Sequence, residues 1–190
     1  MTSNDADRAF PSPSTAAPGS PGSRPWARRG TPVRSAQGAT GAAGEAAAPA
    51  AAFHRSLPGY TPTPLLPAAG LAQRWGVGEV LVKDESARLG LPAFKILGAS
   101  WAVGNAVPAA AGHGPAGSWE ELQEAAAGSG LTLVTATDGN HGRALAHLAR
   151  LLGLHARIYT PDGVGAPALE AIRSEGAELV EHGGVYDEAV

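Results

Sequence analysis

The sequence predicts an α/β fold: an open, mostly parallel sheet with helices on both faces. Three observations lead there. From residue 79 onward, short apolar runs of strand length alternate with longer stretches of helical pattern. The apolar runs are continuous, as in strands covered on two sides, and alternation of strand with helix is the signature of parallel sheets. Apolar residues make up 44% of the 190 residues and aromatic residues only 5%, so a core exists and must be mostly Ala, Leu and Val.

The elements follow in order. Residues 1–52 are rich in Ala, Pro, Gly and Ser and hold almost no large apolar side chains. Such a stretch buries too little surface to offset its ordering entropy, so it reads as a disordered tail or a mis-assigned start. The composition changes at Phe53-His54-Arg55, where the folded region, residues 53–190, begins. Residues 79–83 read as a short apolar strand, and residues 93–107 as a helix of small and apolar residues stopped by Pro108. Ser118 opens a capping box with Glu121, starting a helix that runs to about Ala127. Residues 131–136 form a buried strand. A helix over 139–152 follows and ends at Gly153, a good residue just past a helix end. Residues 156–160 are the next strand, 167–175 a helix closed by Gly176, 177–181 a strand, and 185–190 the start of a helix. No internal repeat exists beyond the recurring strand–helix unit.

Composition narrows the function. Net charge is −3 and no basic cluster follows one face, which argues against nucleic acid and anionic membranes as main partners. The absence of cysteine excludes disulfide scaffolds, thiolate zinc sites and cysteine nucleophiles. No apolar run approaches the roughly 20 residues a membrane helix needs. Arg28-Arg29 is followed by Gly30-Thr31-Pro32 where a twin-arginine signal would have an apolar segment, so a cytoplasmic protein is expected.

Two segments carry the chemistry. Lys95, one of only two lysines, sits in Pro92-Ala93-Phe94-Lys95-Ile96-Leu97-Gly98 at the start of a helix. Small and apolar neighbours are expected to desolvate its amine, which lowers its pKa and frees it for Schiff-base chemistry. The bland alternative is a surface lysine on an amphipathic helix. The second segment is Thr137-Asp138-Gly139-Asn140-His141-Gly142, a turn at the carboxyl end of a strand, where ligands of parallel sheets bind. Its glycines let a ligand approach the backbone, Asn140 can donate to a phenolate oxygen, and Asp138 can move a proton. Asp138 is equally placed to cap the helix, and His141 reads as a packing residue. Together a lysine and such a turn suit a bound aldehyde cofactor.

Other signals are weaker. Lys83 precedes Asp84-Glu85 and is expected to stay charged and paired with those acids. Asp84 and Glu85 are too little for a metal site, and His54, His147 and His155 lack partners at metal-ligand spacing. Gly163-Val164-Gly165 lacks the third glycine of a dinucleotide loop, and neither lysine follows a glycine as in a nucleotide-binding P-loop.

These residues resemble the diaminopropionate ammonia-lyases. Phe53-His54-Arg55-Ser56-Leu57-Pro58-Gly59-Tyr60-Thr61-Pro62-Thr63-Pro64-Leu65 is similar to their opening segment. Lys83-Asp84-Glu85-Ser86-Ala87-Arg88-Leu89-Gly90-Leu91-Pro92-Ala93-Phe94-Lys95 resembles their lysine motif. Thr137-Asp138-Gly139-Asn140-His141-Gly142-Arg143 resembles their asparagine loop. These enzymes belong to the fold type II pyridoxal-phosphate group, with the threonine dehydratases and the tryptophan synthase β chain. The resemblance spans residues 53–190. Asp138 marks the ammonia-lyase branch, since dehydratases usually carry a small residue there.

The resemblance implies that Lys95 holds pyridoxal 5'-phosphate, with Asn140 and Gly139 also binding the cofactor and Asn140 on its ring oxygen. Asp138 becomes a second acid/base beside Lys95, and no metal is implied. The reaction is α,β-elimination of ammonia from 2,3-diaminopropionate, giving pyruvate and a second ammonia. The implied enzyme is catabolic, acts on a small amino acid and is a homodimer when full length. In this group the loop that cradles the cofactor phosphate lies beyond Val190, and Gly183-Gly184 is not that loop. The chain therefore reads as the N-terminal part of a longer enzyme, with the fold incomplete at its C-terminal side and activity of the piece in doubt. A serine or threonine dehydratase and a non-catalytic fragment remain the alternatives.

Overall fold

The computed structural model describes residues 42–190, with side chains from residue 49 onward. The expectations for residues 1–41, including the Arg28-Arg29 pair, lie outside the described residues. Order begins earlier than the composition change at Phe53: α1 spans Ala42–Ser56 and includes residues 42–52, expected as tail. Alanine is the strongest helix former, and the end of α1 is anchored by tertiary contacts. Phe53 is fully buried and meets Trp101 edge to face at 5.7 Å. A Cβ at Gly104 would come within 2.9 Å of the Phe53 ring, so Gly104 is what lets the ring seat there. His54 Nε2 donates to the Leu97 carbonyl at 2.8 Å, and burial pulls its pKa down. The composition change thus marks where the core starts, while the helix starts before it.

The next three elements form a small unit. Strand β1 (Leu65–Pro67), helix α2 (Ala69–Trp75) and strand β2 (Leu81–Lys83) follow in turn. β1 and β2 pair antiparallel, with Leu66 opposite Val82, in a two-stranded sheet of their own. The strand expected over residues 79–83 therefore exists but does not belong to the parallel sheet. Its partner is hidden in the sequence by Pro62, Pro64 and Pro67, which suit an edge strand but break the usual strand pattern. Leu65, Leu66, Trp75 and Val77 of this unit are exposed.

Helix α3 covers Lys95–Ala110 and passes through Pro108. Proline removes the donor that would reach the Gly104 carbonyl. The Ala116 N–H takes that carbonyl instead, at 2.8 Å, so the helix survives two residues past the predicted stop. Helix α4 (Trp119–Ala126) has Ser118 as its cap: Ser118 Oγ accepts from the Glu121 N–H at 3.3 Å. The Glu121 carboxylate reaches one residue further back than expected, to the Gly117 N–H at 2.7 Å. Trp119 N–H donates to Ser56 Oγ at 2.8 Å, tying α4 to α1.

The parallel sheet is β3 (Thr132–Ala136), β4 (His155–Thr160) and β5 (Glu178–Glu181), in that order. Between them lie α5 (Asn140–Leu152) and α6 (Ala166–Arg173), and α7 (Tyr186–Ala189) follows β5. The α/β class and the parallel sheet are those the sequence predicts. α5 packs on β3 and β4, and α6 packs on β5 and against α5, so both cover the same face. On the opposite face Val134, Arg157 and Glu178 stand in one row across the register and all are exposed. The reason is visible in β4, His-Ala-Arg-Ile-Tyr-Thr, which alternates: Ala156, Ile158 and Thr160 are buried and His155 and Arg157 are not. The core is a layer of Ile158, Leu148, Ile172, Leu122, Val107 and Ile96 between the sheet and helices α3 to α6.

Candidate functional site

The turn between β3 and α5 is built around one hydroxyl. Thr137, 3% exposed, follows β3 directly. Its Oγ1 accepts from the Gly139 N–H and from the Gly142 N–H, both at 3.0 Å. Asp138 is exposed and forms no hydrogen bond among the described residues, so Thr137 and not Asp138 caps α5. Both residue types cap helices, and only the path of the turn decides between them. Gly142 cannot be larger: a Cβ there would lie 2.3 Å from Thr137 Cγ2 and 2.8 Å from Ile158 Cγ2. Capping leaves the Asn140 and His141 amides without a partner among the described residues. They sit at the N-terminus of a helix, where donors and dipole favour an anion.

This turn faces the start of α3. Lys95, Ala136, Thr137, Asp138, Gly139, Asn140, His141 and Tyr186 line one cavity of about 380 Å³. Four residues expected in a site from sequence, Lys95, Asp138, Gly139 and Asn140, are thus brought together although one segment lies more than forty residues from the other. The Gly139 amide is committed to Thr137, which leaves Gly139 to shape the turn. His141, expected as packing, also lines the cavity. Burial pulls its imidazole pKa down, and the nearby Lys95 charge pulls it further.

The setting of Lys95 differs from expectation. It is exposed, with Nζ 5.1 Å from the centre of the Phe94 ring, and Phe94 is itself 56% exposed. As the first residue of α3, Lys95 points away from the core into which Ile96 and Ala99 go. Of the apolar neighbours in sequence, only the exposed Phe94 lies beside the amine, so Lys95 stays in contact with solvent rather than buried among apolar side chains.

Lys83 lies elsewhere. Its Nζ donates to the Thr63 carbonyl at 2.6 Å and not to the acids beside it. Asp84 Oδ1 accepts from the Ser86 N–H at 3.0 Å. Glu85 pairs with Arg88, Nε to Oε2 at 2.6 Å and Nη2 to Oε1 at 2.7 Å, and accepts from Thr63 Oγ1 at 2.6 Å. Arg88, 4% exposed, also donates to the Thr61 carbonyl and lies 5.6 Å from the centre of the Tyr60 ring. The Arg88 pairing holds the Glu85 carboxyl at about 2, against the cost of its burial. His147 bonds Glu175 at 2.9 Å, and no group of side chains suited to a metal occurs among the described residues.

Tyr186 is the wall residue that the sequence does not announce. It arrives through the turn after β5, and nothing in its local pattern separates it from any surface tyrosine. Thr137 could have been found: a threonine just before a glycine-flanked helix start is a capping signal.

The donor set fits pyridoxal phosphate in part. A primary amine, an amide side chain and two helix-terminal N–H groups converge on one cavity. Among the described residues its lining holds no arginine and no lysine other than Lys95. The Gly184 amide, in the double glycine near α7, is taken by Asp162 and is not available to a phosphate.

Comparisons with known proteins agree with the geometry. The family model of pyridoxal-phosphate dependent enzymes matches residues 56–190. The chain is 44% identical over 150 residues to the diaminopropionate ammonia-lyase of Salmonella typhimurium, covering 73% of this chain and 35% of that protein. Against the enzyme of Escherichia coli strain K12 the identity is 42% over 140 residues, with the same coverage. A crystal structure of the Escherichia coli diaminopropionate ammonia-lyase in apo form superposes with a TM-score of 0.68 at 38% identity, covering 77% of this chain and 40% of that one. The same enzyme in complex with D-serine gives 0.69 at 39% identity, covering 77% and 37%. The chain spans about a third of the length of the curated relatives it matches. No helix among the described residues is long and apolar enough to cross a membrane.

Proposed function

The chain belongs to the pyridoxal-phosphate-dependent enzyme family, and we propose that it supplies the lysine and asparagine-turn side of a diaminopropionate ammonia-lyase. The observation that carries this is the single cavity joining Lys95, Asp138 and Asn140. Bound pyridoxal phosphate supplies an electron sink that stabilises negative charge on the substrate α-carbon. Every other task falls to residues of the protein. Lys95 would hold the cofactor through its amine, and the same amine is the group placed to carry a proton at Cα. Asn140 would donate its side-chain amide to the cofactor's ring oxygen, and Gly139, without a side chain, would leave room for the ring. The Asn140 and His141 N–H groups hold the substrate carboxylate at the helix N-terminus. His141, kept toward its neutral form by burial, adds no further charge beside Lys95. Asp138 carries the charge that suits the substrate's β-ammonium, or takes the proton from the opposite side of Cα. Loss of one ammonia leaves an enamine, whose hydrolysis gives pyruvate and the second ammonia.

The reading includes a small amino acid as substrate, a cytoplasmic and catabolic setting, and a homodimer. Asp138 favours it over a serine or threonine dehydratase, because a hydroxyl leaving group gains nothing from a carboxylate that matches a cation. The test is turnover by the protein expressed from its complete coding sequence and loaded with pyridoxal phosphate. Pyruvate release from 2,3-diaminopropionate well above that from L-threonine or L-serine is expected. Faster turnover of threonine overturns the assignment.

A further inference from the structure

One wall of the cavity comes from the far end of the chain, and its position is set by a residue outside the cavity. Tyr186 is the first residue of α7, a helix of four residues. Helices that short do not hold themselves together. What holds this one is a clasp between the turns after β4 and β5. The Gly184 N–H donates to Asp162 Oδ2 at 2.7 Å, and the Asp162 N–H donates to the Gly184 carbonyl at 2.9 Å. The His182 N–H adds a bond to the Thr160 carbonyl at 2.9 Å. Gly184 has φ of 103°, a conformation that side chains rarely adopt, and a Cβ there would run into the Glu188 carboxylate. Glu188 Oε2 accepts from the Val185 N–H at 3.2 Å and closes the turn. The double glycine is thus spent on placing α7. Tyr186 leaves the turn 44% exposed, its hydroxyl without a hydrogen bond among the described residues, and it lines the cavity.

We propose that Tyr186 is a positioning residue of the site, its ring closing the cavity beside Lys95 and Asp138, and that the Asp162–Gly184 clasp holds the ring there. This rests on the cavity being the pyridoxal-phosphate site, as proposed above. Asp162 acts only through Tyr186. The ring contributes area, not its hydroxyl, so Tyr186→Phe keeps the function and Tyr186→Ala loses it.

The experiment measures the release rate of pyridoxal phosphate from the holoenzyme, followed by absorbance after dilution into apo acceptor protein. Tyr186→Ala and Asp162→Ala each speed release about tenfold, the change that accompanies about 1.4 kcal/mol. Tyr186→Phe stays within about twofold. The double variant Asp162→Ala/Tyr186→Ala releases no faster than Tyr186→Ala alone, because residues acting as one unit are not additive. Equal melting temperatures of Tyr186→Phe and Tyr186→Ala separate the effect from unfolding. Unchanged release in Tyr186→Ala, or additive effects in the double variant, overturns the proposal. Pyruvate assays on the same preparations keep the two readings apart: release rates that follow this order in an enzyme inactive on diaminopropionate leave Tyr186 in place and refute the substrate. Failure of the wild type to take up pyridoxal phosphate refutes both.

Discussion

Around Lys83 the polar groups answer one another, and around Lys95 they do not. Lys83 bonds the Thr63 carbonyl, while Thr61, Thr63, Glu85 and Arg88 close a network in which each charge has its partner. Lys95, Asp138 and Asn140 share a cavity, yet their side chains form no hydrogen bonds among the described residues. Buried polar groups must be paired, because an unpaired one costs its full desolvation. Polar groups that converge on open space without pairing are available to a ligand instead. The two lysines sit twelve positions apart in one motif, yet one belongs to the framework and the other to the site.

The largest expected break in this comparison is Lys95→Ala. It should abolish pyridoxyl labelling after borohydride reduction. Turnover should fall by at least about a thousandfold, since proton transfer alone is worth about 100- to 10,000-fold and the covalent anchor is lost as well. Peptide mapping checks the position of the label, and a label on Lys83 alone would overturn the assignment.

Next comes Asp138→Asn, paired with Thr137→Val. Because Thr137 caps α5, Asp138→Asn should leave the melting temperature and cofactor absorbance nearly unchanged. Diaminopropionate turnover should drop about 100- to 10,000-fold, the usual range for a general acid–base group. Thr137→Val removes the acceptor for two backbone N–H groups and should cost about 1–2 kcal/mol of stability. Denaturant melts and steady-state rates distinguish the two. Turnover of Asp138→Asn within about threefold of wild type would leave the carboxylate without a catalytic part.

The framework side can be broken by acid. The Glu85 carboxyl is held at about 2, below its ordinary value of 4.5, chiefly by Arg88. A depressed carboxyl stabilises the fold fully above the unfolded value. That contribution shrinks as pH falls below 4.5 and is gone near 2. Glu85→Gln leaves the buried Arg88 charge without its counter-charge and should cost about 2–4 kcal/mol at neutral pH. Its stability should then vary less with pH than the wild type's over the acid range. Equal acid sensitivity in both proteins would show that the pair does not carry the effect.

How much of this was legible follows from where the information lies. The asparagine turn and α5 are contiguous, so glycines, apolar spacing and the stop at Gly153 could be read directly. The β1–β2 pair could not, because its prolines mimic a loop and its partner strand lies across α2. The exposure of Lys95 was not legible either: sequence neighbours of a helix start point in several directions, and only Ile96 and Ala99 face the core. Continuous apolarity was misleading for the sheet face, since Val134 is apolar and exposed. Tyr186 depends on a clasp between residues more than twenty positions apart, which no local pattern encodes.

The smallest expected effect sharpens the comparison most. Lys83 is exposed, and its one hydrogen bond is to a backbone carbonyl that water can also reach. Lys83→Met keeps most of the stem and removes the charge. Exposed substitutions of this kind usually move stability by about 0.5 kcal/mol or less. Its charge contributes least among the groups that lower the Glu85 pKa, so acid stability should barely move. Labelling of Lys95 and turnover should stay within about twofold. The two lysines then separate by about three orders of magnitude in rate, though both follow conspicuous motifs in the chain. A large loss of turnover in Lys83→Met, with stability intact, would place Lys83 in the chemistry and erase the division between framework and site.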